Sequence, residues 1–459
     1  MGTRPPFPMD YFDITRLAKR AATGSPSGID RVDLAYLRWL RAKGRAGYIA
    51  NGVAGFTEIP AGTAAPLADE IAEQWTRGSG LPRPARLRLL RDNSLAIRAA
   101  TKWRARKRGL RALTNIADPA ELCTRPLLEK LDLLDSSASA GLYRCDPAWR
   151  TDSKRGRYFG ISHAMLTRTP FLAALARQSR LERVFFIHDT IPCDFPQYCR
   201  AHEGQRHLLR IRNAFRYGTR LIVNSRHTAE RLEAWRNRLG APARPVAVIP
   251  IGVEDTLTGR NAVADPADGG TPPVFVTIGT IEARKNHLLL MKVWRHFAEC
   301  LPPERVPRLV IIGKRGWENE EVFRLLDTCR EIRPHVEEAG GVPDAELLER
   351  MRGARALLFP SHAEGWGMPL VEALALGVPV IASDIPAFRE AGQGIPELLP
   401  PQDAQAWSER ILHFASATPG ERTRQLERVA SFSPPTWEQH FAKLEDWLSR
   451  KPEEVDFPT

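Results

Sequence analysis

The apolar residues of the second half of the chain fall into short unbroken runs. Val274 to Ile278, Leu309 to Ile312, Ala354 to Phe359 and Val378 to Ala382 are each of strand length, with helically spaced stretches between them. In the first half, Tyr11 to Ile14, Arg183 to Ile187 and Arg220 to Asn224 read as strands in the same way, and an amphipathic helix runs from Ser27 through Leu40. Asp255 to Pro273, rich in Gly, Pro, Asp and Ala, is the most linker-like stretch and marks a domain boundary. Both halves are therefore predicted to be α/β. The domains expected are 1–255, 256–432, and a C-terminal helix and tail at 433–459, where Trp437, Phe441, Leu444 and Trp447 recur at helical spacing as core residues.

The run 361–384 carries the most legible punctuation. Pro369 suits the first position of a helix, Gly377 its C-terminal cap, and apolar runs flank both, so the order is strand, loop, helix, strand. Such a crossover makes the two strands parallel neighbours, with the loop Glu364 to Met368 at the carboxyl end of the first, the edge where α/β sheets bind ligands. Gly365 and Gly367 let backbone approach a ligand, and the amides opening the helix suit a diphosphate. Glu364 and Glu372, with seven residues between them, cannot bind phosphate but can accept hydrogen bonds from sugar and ribose hydroxyls. Taken alone, the pair fits equally a loop acid and an acid in the first helical turn.

Composition narrows the class. The 459 residues suffice for two domains, and 43% hydrophobic with 26% charged residues is ordinary for a globular protein. No apolar run reaches membrane-spanning length and the N-terminus has no signal-peptide pattern, so a cytoplasmic location is expected. The six cysteines are scattered without a Cys-x-x-Cys pair, which predicts neither a zinc site nor a disulfide framework. The net charge of +12 is partly concentrated: from Arg83 to Arg108 ten Lys or Arg stand against Asp92, interleaved with Leu87, Leu90, Leu95, Ile97 and Trp103. This basic helical pattern is a candidate contact for an anionic membrane surface, the alternative being a solvated helix face. Nucleic acid is not an expected partner, since no nucleic-acid module accompanies the charge.

The 361–384 segment, with Pro360-Ser361, Gly365-Trp366-Gly367 and Gly377-Val378-Pro379, resembles the E-x7-E motif of the retaining glycosyltransferases of family 4. That resemblance implies the GT-B fold, two Rossmann-like domains facing across a cleft with a C-terminal helix crossing back to the first. The donor-binding residues it implies are Gly279, Arg284, Lys285, Val342, Glu364, Gly365, Trp366, Gly367, Met368 and Glu372, with Glu364 at the transferred sugar and Glu372 at the ribose. Gly279-Thr280-Ile281-Glu282-Ala283-Arg284-Lys285-Asn286 resembles the family's donor-phosphate segment, with Thr280 where an arginine often stands, so the phosphate clamp rests on Arg284 and Lys285. Gly340-Gly341-Val342 resembles the loop that contacts the base, and Val342 reads equally as a core valine. His188, at the end of the run Phe185 to Ile187, matches the family's active-site histidine, and Asp189 can orient it or cap the next turn. Ser27-Gly28-Ile29-Asp30-Arg31 resembles the glycine loop that closes on the donor. There Gly28 is a candidate backbone contact and Arg31 a candidate for phosphate or acceptor, while an ordinary helix start fits equally.

The catalytic set implied is His188, Glu364, Arg284 and Lys285. The activity implied is transfer of a hexose from a nucleotide sugar to a lipid-linked or growing surface glycan, with retention of configuration and neither metal nor bound cofactor. No Asp-x-Asp pair of the metal-dependent kind occurs. The Gly-Thr-x-Glu-x-Arg-Lys-Asn form favours mannose from GDP-mannose by family analogy. Two alternatives stay open: a nucleotide-sugar epimerase on the same fold, and a non-catalytic protein of this fold that binds glycan or membrane. A nicotinamide enzyme is not expected, since no Gly-x-Gly-x-x-Gly follows a strand.

Overall fold

The computed structural model describes residues 9–20, 26–51, 55–64, 66–77, 144–145, 155–257 and 272–450. The chain divides into two compact units, one of Met1–Gln197, Ala201–Ile249 and Lys443–Thr459, the other of Tyr198–Arg200 and Pro250–Ala442. The change of unit at Ile249 and Pro250 precedes the linker-like stretch, of which Asp255–Leu257 forms a single 3-10 turn. The basic stretch 83–108 lies outside the described residues.

The first unit holds an eight-stranded sheet. Its strands are β1 (Met9–Asp13), β2 (Ala46–Asn51), β3 (Gly55–Ile59), β4 (Arg144–Cys145), β5 (Gly156–Gly160), β6 (Leu181–Ile187), β7 (Arg220–Val223) and β8 (Val246–Val248). They lie in the order β4-β3-β2-β1-β5-β6-β7-β8, parallel except where β2 meets β3. Phe185 and Leu221, with Tyr158, Phe171, Phe215 and Trp235 around them, fill a core between this sheet and its helices. The end of the helix Trp437–Ser449 belongs to this unit. There Glu445 takes hydrogen bonds or an ion pair from Trp39 and Lys43, and the buried Arg220 donates to the carbonyl of Trp447 at 2.8 Å.

The second unit holds six parallel strands: β9 (Val274–Ile278), β10 (Arg308–Ile312), β11 (Val336–Ala339), β12 (Ala356–Phe359), β13 (Val380–Ser383) and β14 (Glu397–Leu399). Their order, β11-β10-β9-β12-β13-β14, is the doubly wound Rossmann order. Every residue of β12 and β13 is buried, because helices cover both faces of a parallel sheet, which is why these strands read as unbroken apolar runs. Trp294 and Trp407 are fully buried in the core beneath. Among the described residues no helix is long and apolar enough to cross a membrane.

Candidate functional site

A doubly wound sheet binds ligands outside the carboxyl ends of its strands where the strand order reverses. In the second unit that point lies between β9 and β12, and the two singled-out motifs are the loops leaving these strands. After β9 the chain turns through Gly279, at φ 137°, into a 3-10 turn Ala283–Lys285, and Asn286 enters the left-handed region at φ 56° before the helix His287–Cys300. Asn286 Nδ2 donates to the carbonyls of Pro360 and Pro401, and the amide of His362 donates to the carbonyl of Arg284. The loops after β9 and β12 are thus tied to each other by backbone acceptors. A side chain on Gly313, after β10, would come within 1.9 Å of the Gly279 carbonyl oxygen, so a third loop packs against the first through backbone.

This scaffold holds a buried charge quartet. Glu364 Oε1 accepts from Lys285 Nζ at 2.6 Å, Arg284 Nη1 at 2.7 Å and Ser361 Oγ at 2.9 Å. Arg284 also donates through Nη2 to Glu282 at 2.7 Å and through Nη1 to the carbonyl of Ala363. Lys285 Nζ stands 4.6 Å from the centre of the Phe359 ring. Burial opposes ionisation of Glu364, but the charges and hydrogen bonds of Arg284 and Lys285 outweigh it and bring its pKa from 4.5 to about 2. Burial lowers the pKa of Lys285, an effect the Glu364 carboxylate opposes.

The next turn is set by Gly367 at φ 101°, where an added Cβ would lie 2.7 Å from the Phe388 ring. Gly367 caps the helix Met368–Ala375, with Pro369 in its first turn and Gly377 at φ 82° past its end. Because the helix opens one residue ahead of Pro369, Glu372 lies in its second turn and not in the first turn expected; it is half-buried there. Trp366 is buried and its Nε1 has no hydrogen-bond partner. Val342 is half-buried on the loop after β11, two strands out from β9, beside Gly341 at φ 74°. An added Cβ on Gly341 would meet Lys314 Cε at 3.6 Å, so the loops after β10 and β11 adjoin each other.

In the first unit His188 follows β6 directly and is buried. Its Nε2 bonds the carbonyl of Ile161 at 2.8 Å, which fixes the proton there and leaves Nδ1 as the lone-pair nitrogen. The ring stacks on Phe186 at 4.3 Å, and its backbone is held by His163 Nε2 and Asn224 Nδ2, each at 2.8 Å. Burial lowers the pKa of His188 to about 4, so the neutral imidazole persists at physiological pH. His163 stands 5.0 Å from His207, whose ring bonds the Asp189 carbonyl. Asp189 Oδ1 accepts from the amide of Ile191, so it caps the following turn. Gly28 is the exposed first residue of the helix Gly28–Ala42, where Ser27 and Asp30 form a reciprocal capping box, a helix start compatible with the backbone contact expected of Gly28. His163, His207 and Asn224 were not found by motif; their signal is position alone, Asn224 following β7 as His188 follows β6.

Residues 261–429 match the family described as glycosyl transferases group 1. Among curated proteins, the serotype-specific mannosyltransferase WbdA of Escherichia coli is 29% identical over 220 residues, 46% of this chain and 27% of that protein. The O-antigen chain mannosyltransferase B of the same species is 35% identical over 138 residues, 29% of this chain and 35% of that one. The matched part thus spans about a third or less of the length of these two relatives. Among solved structures, Anabaena HepE in complex with UDP and glucose aligns with a TM-score of 0.57 over 96% of this chain and 100% of its own, at 15% identity, which shows the fold. Residues 261–429, in the unit of Rossmann strand order, thus carry a likeness to glycosyl transferases group 1, and the chain has the GT-B fold and is similar in sequence to mannosyltransferases.

Proposed function

We propose that the protein is a retaining hexosyltransferase that moves mannose from GDP-mannose onto a lipid-linked or growing surface polysaccharide. The observation that carries this reading is the Arg284–Lys285–Glu364 cluster at the switch point of the second sheet. The mannosyltransferase relatives support the choice of sugar. In the reaction the bond between the sugar C1 and the diphosphate oxygen breaks, and the acceptor oxygen bonds to C1. The acceptor's proton passes to the departing phosphate, on the same face of the sugar. Negative charge grows on the diphosphate as the bond lengthens, and Arg284, Lys285 and the amides opening Met368–Ala375 stabilise it where it develops. The buried Glu364 is already engaged by two cations and serves to accept sugar hydroxyls, not to attack C1. Glu372 is assigned to the ribose and Val342 to the base. His188 offers a lone pair at Nδ1, so its role is to accept a hydrogen bond from a hydroxyl. No metal or bound cofactor takes part in this scheme. A location at the inner membrane face, through the basic stretch 83–108, belongs to the same proposal, and failure to float with anionic liposomes at low salt would remove it.

Incubation with a panel of GDP-, UDP- and ADP-sugars and polysaccharide acceptors tests the reading. GDP-mannose is expected to be consumed with an α-linked product, and both Lys285→Ala and Glu372→Ala to abolish transfer while circular dichroism stays unchanged. Undiminished turnover in either variant would overturn the site, turnover with another sugar alone would overturn the donor, and sugar inversion without acceptor would instead support an epimerase.

A further inference from the structure

The first sheet also reverses its order, between β1 and β5, and the residues that leave these two strands carry positive charge that the scheme above does not use. The short helix Thr15–Arg20 follows β1 directly and bears Arg16, Lys19 and Arg20; Arg168 stands at the end of the turn His163–Thr167 that follows β5. Arg16 is held firmly from one side. Its Nε donates to Asp30 Oδ1 at 2.7 Å and its Nη2 to Ser27 Oγ at 3.1 Å, while its Nη1 donates to no group among the described residues. Lys19 is exposed and makes no hydrogen bond or ion pair among the described residues. Burial and then the Arg168 charge lower its pKa, and the Asp13 charge opposes them.

Three carboxyls lie nearby, and Asp30 alone among them accepts hydrogen bonds from the arginines here. Asp30 is buried and ionised, with Arg16 and Arg20 bound to its two oxygens. Asp33 is 1% exposed and neither of its oxygens has a hydrogen-bond partner; Arg16 Nε is 3.8 Å away. Burial raises its pKa well above the ordinary value, and Asp30 and Asp13 add to the rise. Burial likewise raises Asp13, which accepts from the Tyr158 hydroxyl and the Thr15 amide. Asp30 is thus shared between two arginines, and the Lys19 ammonium and the Nη1 of Arg16 are donors in excess of the hydrogen bonds made among the described residues. His163 and His188 both feel the Arg16 charge, so this excess lies beside the histidine edge of the sheet.

We propose that Arg16 and Lys19, with Arg168, form a binding subsite in the first unit for a phosphate group of the acceptor. A guanidinium locked on one edge presents its other N–H donors at fixed geometry, which suits a phosphate oxygen, and Lys19 adds a mobile second charge. The switch point of a doubly wound sheet is where such a ligand is expected. Calling the phosphate an acceptor's rests on the glycosyltransferase reading; the subsite itself does not.

The test is calorimetric titration of inorganic pyrophosphate into the full chain with GDP saturating the second unit, so that Arg284 and Lys285 do not report. Wild-type protein is expected to bind pyrophosphate, Lys19→Ala to bind about tenfold more weakly and Lys19→Glu to show no binding, while Arg284→Ala binds as wild type. Vesicles of phosphatidylcholine with phosphatidic acid form the second arm. Wild-type binding that Lys19→Glu abolishes identifies a lipid phosphate as the source, and pyrophosphate binding without vesicle binding identifies a soluble one. Lys19 is exposed, so its variants fold, and circular dichroism checks this. Absence of binding to either probe, or binding that Lys19→Glu leaves intact, overturns the subsite. Neither result depends on turnover, so a failed transfer assay with intact phosphate binding would sink the proposed activity and leave the subsite standing.

Discussion

Glu364→Gln isolates the charge at the centre of the second unit, because it keeps the shape of the side chain and removes only the ionised form. The wild-type carboxylate has its pKa moved from 4.5 to about 2, a difference that corresponds to about 3 kcal/mol of stability held by ionisation. The direction follows from proton uptake. The unfolded chain takes up its proton near pH 4.5 and the folded chain only near pH 2, so the contribution is complete above about pH 5. It falls as the pH drops, is half gone just above about pH 3 and is absent below about pH 2. Removing the carboxylate also leaves Lys285 buried without its ion pair, a loss of the kind that costs about 3–5 kcal/mol when one partner of a buried pair is deleted. Urea unfolding followed through tryptophan fluorescence, with Trp294 and Trp407 as reporters in the second core, should therefore place the variant's midpoint well below wild type at pH 7.5. The two midpoints should approach each other as the pH is lowered to about 3. Equal midpoints at pH 7.5, or a gap that does not shrink with acid, would refute the assignment of Glu364 as the ionised partner of both cations.

Gly367→Ala places a Cβ against the Phe388 ring at a φ of 101°, so it should destabilise by more than about 1 kcal/mol in thermal unfolding and weaken nucleotide binding in the same titration. Burial holds His188 near pKa 4 and His207 near 3, below the ordinary 6.5, so the unfolded chain binds more protons as the pH falls through 6.5. Each such histidine lowers the urea midpoint of the first unit as the pH falls from about 6 to 4.5, His163 among them, so His207→Phe should make the pH dependence shallower by close to one proton. Arg220→Met takes away buried donors to the carbonyls of Trp447 and Arg450, and limited proteolysis should then release the end of the helix Trp437–Ser449 far faster than in wild type.

The fold was legible where burial acts on whole runs of residues. The strands Val274–Ile278 and Arg308–Ile312 were readable to within a residue, because both faces of each are covered and the apolar run ends where the strand ends. Gly367 and Gly377 were readable as punctuation because each occupies a backbone region that a side chain would strain. The contacts among Arg284, Lys285 and Glu364 were not, since they depend on two loops far apart in sequence being tied by Asn286 to the carbonyls of Pro360 and Pro401. Gly28 was legible as a helix start, but the capping box of Ser27 and Asp30 is anchored by Arg16, a partner outside the helix that no local pattern reveals.

Under the proposed function, the charge balance of the second unit constrains how a nucleotide-sugar donor is held. Arg284 and Lys285 contribute two positive charges, Glu282 and Glu364 two negative ones, so the quartet is neutral as a group. A dianionic donor is therefore not drawn in by net charge at this point. Its diphosphate must compete for N–H donors that carboxylates already occupy; at the opening of Met368–Ala375, Pro369 has no N–H and the Leu370 amide donates to Gly367, so the Met368 amide is the donor left to the positive helix end. A carboxylate that gives up hydrogen bonds from Arg284 or Lys285 needs replacements, and under the proposed function sugar hydroxyls are to provide them at the same oxygen. Recognition of sugar and of diphosphate are then one exchange: a nucleoside diphosphate lacking the sugar would free the cations and leave Glu364 under-bonded, at a cost of about 1–3 kcal/mol. The intact nucleotide sugar should accordingly bind about ten- to a hundredfold more tightly than the nucleoside diphosphate, and Glu364→Gln should abolish that preference. Equal affinities of wild type for the two ligands would show that Glu364 orders the loop and does not read the sugar.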